Sequence, residues 1–97
     1  MARTPEAAVK AAVKRILNAH DVYYFPPATA GYGRSGVPDI VCCFNGKFLA
    51  IECKAGKGMT TVLQDREIQA IRDAGGTAIV INEDNLDALV KVLKEFL

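Results

Sequence analysis

Asp39, Glu52 and Lys54 are the residues of this chain whose types and spacing could do chemistry together. They sit on two apolar segments, Pro38–Phe44 and Lys47–Cys53, joined by Asn45-Gly46. That dipeptide favours the type I′ turn of a two-residue β-hairpin. A tight hairpin fixes its register, and pairing Phe44 with Lys47 carries Asp39 directly across from Glu52. The two form a non-hydrogen-bonded pair, with Cα atoms roughly 4.5 Å apart. Like charges placed opposite one another destabilise a sheet. Apolar surroundings make matters worse, because two desolvated carboxylates cannot both ionise without compensation. Positive charge must therefore lie close by. Lys54, projecting from the same face as Glu52, is one candidate, and a divalent cation is the other.

Magnesium suits such a donor set. It prefers oxygen and often takes one or two carboxylates, with water and a substrate phosphate completing its shell. The ion stabilises charge on a phosphate and lowers the pKa of bound water. A neighbouring ammonium orients that water or stabilises the developing charge. Two acids and a lysine so arranged could hydrolyse a phosphodiester. A structural Asp-Lys-Glu ion cluster at a strand end uses the same residues, and spacing alone does not separate the two readings.

The elements that must position these groups are readable from periodicity. Residues 4–19 form an amphipathic helix, with Thr4 as its cap, Pro5 in its first turn, and Val9, Val13 and Leu17 along one stripe. Val22–Phe25 reads as a short strand on which one of Tyr23 and Tyr24 faces the core. A loop rich in small residues, 28–36, leads to the hairpin. Both faces of the hairpin are apolar: Ile40, Cys42, Leu49 and Ile51 on one, Val41, Cys43, Phe48 and Ala50 on the other. Helices are expected to cover both. After a turn at 55–58, a helix starts at Thr60 or Thr61 and runs to Ala74, stopped by Gly75-Gly76. Thr77–Ile81 is a buried strand, and Asp84 or Asn85 opens a last helix. The order is α-β-β-β-α-β-α, a mixed α/β fold of one domain spanning residues 1–97.

Two helical residues turn inward. Glu6 projects among Val9, Val13 and Leu17, although a first-turn acid also suits the helix dipole and an i,i+4 pair with Lys10. Gln64 projects alongside Ile68 and Ile71, although Thr61-x-x-Gln64 has capping-box spacing.

Composition excludes several classes. The chain is 97 residues long, 51% hydrophobic and 24% charged, with net charge +1. Disorder needs lower hydrophobicity and higher charge. A chain of this length buries about 65% of its unfolded surface, enough for one core. No run approaches the roughly 20 apolar residues that span a bilayer, and the N-terminus lacks the apolar core of a signal peptide, so a cytoplasmic protein of a bacterium or phage-infected host is expected. Residues 1–57 hold eight Lys/Arg against four Asp/Glu, and residues 58–97 four against seven. The front half offers weak attraction to a polyanion. The three cysteines, Cys42, Cys43 and Cys53, lack a CxxC pair and read as buried small hydrophobes in a reducing compartment rather than zinc ligands.

Gly36-Val37-Pro38-Asp39, then Ile51-Glu52-Cys53-Lys54, then Gln64, resembles the PD-(D/E)XK nuclease signature. More narrowly, the chain resembles the virus-type replication-repair nuclease (VRR-NUC) domain over residues 6–81. The resemblance implies a restriction-endonuclease-like αβββαβ core with a C-terminal helix, and a DNA endonuclease dependent on Mg2+ or Mn2+, with no organic cofactor. Asp39, Glu52 and the Cys53 carbonyl would hold the metal, joined by Glu6 directly or through water. Lys54 would position or activate the attacking water, and Gln64 would position Lys54 or a water. Standalone members of the family resemble Holliday-junction resolvases, which implies branched DNA as substrate and a homodimer. The segment Gly31–Gly36 could bring backbone N–H groups, Arg34 and Ser35 to a DNA phosphate, and Lys57 could touch the DNA backbone. An alternative is a non-catalytic nucleic-acid-binding module that keeps the nuclease fold. Its paired acids would face a polyanion to no benefit.

Overall fold

The computed structural model describes residues 4–28 and 33–97. Helix α1 spans Pro5–Ala19. Thr4 caps it, its hydroxyl accepting from the Ala7 N–H at 3.1 Å, and Pro5 occupies a first-turn position where no amide hydrogen is missed. Strands β1 (Tyr23–Phe25), β2 (Ile40–Phe44) and β3 (Lys47–Cys53) follow, then α2 (Val62–Asp73), β4 (Thr77–Ile81) and α3 (Leu86–Glu95). The element order is the expected one. The first and second strands begin one and two residues later than the sequence suggests.

The sheet runs β1-β2-β3-β4. The first three strands form an antiparallel meander, and β4 lies parallel to β3. A parallel partner needs a crossover, which α2 supplies. At the β2–β3 turn, Asn45 and Gly46 have φ of 51° and 76°, the left-handed pair that a type I′ turn requires. The turn sets Phe44 against Lys47, and the ladder continues in that register to Ile40 against Ile51. It ends one step before Asp39 and Glu52.

The pleat then sorts the side chains. Leu49, Ile51 and Cys53 point to one face, where they pack with Val9, Val13 and Leu17 of α1, Ile81 of β4, and Leu89 and Leu93 of α3. On the other face Ala50 and Ala78 are covered by Ile68 and Ile71 of α2, and Glu52 is buried as well. Two expectations are corrected here. The second face of the hairpin is not covered along its length: Phe48 and Phe25 are 44% and 46% exposed, and Cys43 is exposed rather than buried. A helix of 12 residues is about 18 Å long and packs on Ala50 of β3 and Ala78 of β4, leaving Phe25 of β1, Cys43 of β2 and Phe48 at the start of β3 exposed. Cys42 and Cys53 are buried as expected. Tyr24 packs on the core while Tyr23 is exposed. Among the described residues no helix is long and apolar enough to cross a membrane.

Candidate active site

The end of the β2–β3 ladder lies between the first turns of α1 and α2, and the acids gather there. Glu52 points to the α2 face and is 3% exposed, the only buried charged residue of the described chain. Its Oε2 accepts from the Gln64 side-chain amide at 2.9 Å and lies 3.4 Å from the Lys54 ammonium. Its Oε1 is buried with no partner. Burial, with Asp39 nearby, lifts the Glu52 carboxyl from its ordinary 4.5 to about 7, and Lys54 offsets part of that rise. Asp39 closes the ladder. Its Oδ2 accepts from the Cys53 backbone N–H at 2.8 Å, and its Oδ1 lies 3.3 Å from the Lys10 ammonium.

Each contact has a local origin. Lys54 shares the face of Glu52 because side chains two apart on a strand do. Its own N–H continues the β3–β4 ladder, donating to the Ile81 carbonyl at 3.0 Å. Gln64 sits at the third position of α2, where its Oε1 accepts from the Thr61 N–H at 2.9 Å while Thr61 caps in return. The capping box leaves the amide Nε2 free to reach Glu52. The helical cap and the inward-facing site residue are thus one side chain using both its ends. Gly36 sets the approach of Pro38-Asp39 to α2. Its φ is +75°, and a Cβ there would lie 2.6 Å from the Leu63 carbonyl group and 2.9 Å from the Gln64 nitrogen. No other residue lets the loop pack so closely on the helix start.

Of the residues singled out in the sequence, Asp39, Glu52, Lys54 and Gln64 converge. Glu6 lies at the rim with its side chain 45% exposed, 3.9 Å from Lys10. The Cys53 thiol is buried on the opposite face, and burial together with Asp39 pushes it up to about 12. It stays protonated, and the carbonyl is the donor this residue has to offer. Arg34 makes a bidentate pair with Glu67 of α2, at 2.8 and 2.9 Å, instead of standing free for a phosphate. Ser35 and Lys57 are exposed. Gly31 and Tyr32, part of the expected phosphate loop, lie outside the described residues. The sequence reading missed Lys10 as the partner of Asp39 and Glu67 as the partner of Arg34. Lys10 carried a signal, since it lies one helical turn from Glu6 on the flank that faces the site.

Among the described residues no three His, Cys, Asp or Glu side chains gather closely enough to hold a metal by themselves. An ion needing a full protein cage does not fit. Mg2+ or Mn2+ does, because such ions keep water and substrate oxygens around one or two carboxylates. The unpartnered Glu52 Oε1 beside Asp39 is the observation that favours this: a buried carboxylate oxygen without a donor is expensive and suits a cation.

A four-stranded mixed sheet, with two helices on one face and a crossover helix on the other, carries the acids at the end of its hairpin. Solved structures share this architecture. A structure described as a VRR_NUC domain superimposes with a TM-score of 0.78 at 22% identity, covering 92% of this chain and 97% of the other. A second, described as a VRR_NUC domain protein, gives 0.73 at 19% identity over 100% and 91%. The chain has the VRR_NUC nuclease fold. No protein-family model matches the sequence, and no curated protein is similar to it.

Proposed function

We propose that residues 1–97 form a metal-dependent DNA endonuclease of VRR-NUC type, hydrolysing phosphodiester bonds. The observation that carries the reading is the buried Glu52 carboxylate with one free oxygen, held beside Asp39 and Lys54. Asp39, Glu52 and the Cys53 carbonyl would hold Mg2+ or Mn2+, with Glu6 joining directly or through water. When bound, the ion withdraws electrons from the phosphate oxygens and makes its water more acidic. The protein's own groups do the rest. Lys54, with its side chain 14% exposed, offers a fixed ammonium that orients the attacking water and stabilises charge on the phosphate. Gln64 and Lys54 both hold Glu52 Oε2, which leaves Oε1 as the oxygen that would be offered to a cation. Asp39 is fixed by the Cys53 N–H on Oδ2, and its Oδ1 is paired with the Lys10 ammonium.

The resemblance to standalone VRR-NUC proteins extends the proposal to branched DNA and a homodimer. Lys57 and Ser35 are exposed and accessible to a DNA backbone. The Arg34 side chain is 71% exposed and keeps N–H groups beyond its pair with Glu67, whose carboxylate offsets its charge toward a phosphate.

The test is nicking of supercoiled plasmid, with manganese calorimetry alongside. Wild type is expected to nick with Mg2+ or Mn2+ and not in EDTA. Lys54→Ala should keep metal binding and lose cleavage by about 100-fold or more, the scale of a lost charge-stabilising donor. Unchanged cleavage in Lys54→Ala, or cleavage that survives EDTA, overturns the assignment. Flaps, four-way junctions and linear duplexes compared under the same conditions test the preference for branched DNA.

A further inference from the structure

Asp39 already has a cation. Lys10 Nζ lies 3.3 Å from Asp39 Oδ1 and 3.9 Å from Glu6 Oε2, so one ammonium bridges the rim acid and the central acid. We propose that Lys10 is a resident counter-ion of the metal site, and that metal uptake exchanges it for the divalent ion. This rests on the metal-site reading above and goes beyond it in assigning Lys10 a role.

The oxygens around the site account for the exchange. Asp39 Oδ2 is engaged by the Cys53 N–H, and Glu52 Oε2 by Gln64 and Lys54. The oxygens least engaged by hydrogen bonds are Glu52 Oε1, which has no partner, and Asp39 Oδ1, which faces only the Lys10 ammonium. A carboxylate oxygen has lone pairs for two partners, so the conflict is electrostatic rather than steric. A monovalent and a divalent cation on one oxygen repel, and the mobile one yields. Lys10 is the mobile one. Its side chain is 37% exposed, its stem is flexible, and Glu6 is already within reach one helical turn away. An ammonium set between two carboxylates carries its full charge in the metal-free protein. There it pairs with Asp39 and offsets part of that acid's charge.

Manganese titrations of the full chain test the exchange by calorimetry, without reference to cleavage. Lys10→Met keeps the stem and removes the charge, and is expected to bind Mn2+ about tenfold more tightly, the repulsion between such ions a few ångströms apart in nearly water-like surroundings. Lys10→Arg keeps the charge and should stay within about twofold of wild type, since charge is what competes. In EDTA Lys10→Met should melt below wild type, and saturating Mn2+ should close the gap. Lys10→Gln gives the same test should methionine disturb the fold. Wild type and Lys10→Met binding with equal affinity overturns the exchange and leaves the metal site standing. Neither protein binding Mn2+ overturns both. Binding by Lys10→Met alone supports the exchange in its strongest form.

Discussion

Replacing Glu52 with glutamine should stabilise the metal-free protein, and the gain should depend on pH. Burial and the nearby Asp39 lift the Glu52 carboxyl from 4.5 to about 7. The folded protein therefore keeps the proton at pH values where the unfolded chain has released it. Stability conferred by the neutral acid is complete below 4.5 and is lost as pH rises to about 7. The slope is about 1.4 kcal/mol per pH unit, and the accumulated loss is about 3 kcal/mol on the alkaline side. The amide removes this dependence. Its oxygen still accepts from Gln64 and Lys54, while its N–H group falls where Oε1 has no partner, costing about 1 kcal/mol. The net gain is about 2 kcal/mol near pH 8.5, or about 10 °C in melting temperature for a domain of this size, and nothing near pH 5. Thermal melts in EDTA across that range measure it. Manganese at about 100 times its Kd should then add about 2.7 kcal/mol to wild type and nothing to Glu52→Gln, erasing the difference. A variant less stable than wild type near pH 8.5 in EDTA, or a difference that does not change with pH, refutes the reasoning.

Gln64 can be divided by substitution. Gln64→Leu loses the cap and the bond to Glu52 and should cost about 1–2 kcal/mol in denaturant melts. Gln64→Glu keeps the acceptor for Thr61 but sets a carboxylate against Glu52, so the alkaline fall in stability should move to higher pH; an unmoved midpoint would reduce Gln64 to a cap. Gly36→Ala places a methyl group 2.6 Å from the Leu63 carbonyl at a positive φ and should cost about 3 kcal/mol or more in urea unfolding. A loss under about 0.5 kcal/mol would show that the loop is free to move off α2. Glu67→Gln should release Arg34 and tighten binding of duplex DNA a fewfold at low salt, with a salt slope steeper by about one unit in fluorescence anisotropy. Unchanged binding in both Glu67→Gln and Arg34→Ala would remove Arg34 from the DNA interface.

The hairpin was legible because the Asn45-Gly46 turn permits one register, and register alone brings Asp39 to the end of β3 near Glu52. The α1 and α3 stripes were legible because a period of 3.6 residues sorts Val9, Val13 and Leu17, or Leu89 and Leu93, onto one side. The bare half of the sheet was not. Apolar side chains such as Cys43 and Phe48 indicate a preference for cover, and whether cover exists depends on where a single short helix crosses. The ion pairs were hidden for a related reason. Lys10 with Asp39 and Arg34 with Glu67 join residues far apart in sequence, and helical spacing placed Lys10 near the site without naming Asp39 as its partner. Gln64 was read as either cap or site residue, and its acceptor and donor ends perform both tasks at once.

The placement of Glu52 also explains how so small a chain tolerates its site. A domain of this kind holds about 5–15 kcal/mol of stability, so a buried acid that takes about 3 kcal/mol at alkaline pH is a large charge against it. The expense falls on the α2 face, away from the larger core. On the opposite face Leu17, Leu49, Ile51, Leu89 and Leu93 are fully buried and share no polar contact with the acids. The strand pleat insulates one from the other, since residues 49, 51 and 53 serve the core while 52 and 54 serve the site. Cys53 joins the two, with its thiol in the core and its N–H on Asp39. Substitution of Glu52 should therefore change metal affinity and local stability near α2 without loosening the α1–α3 core.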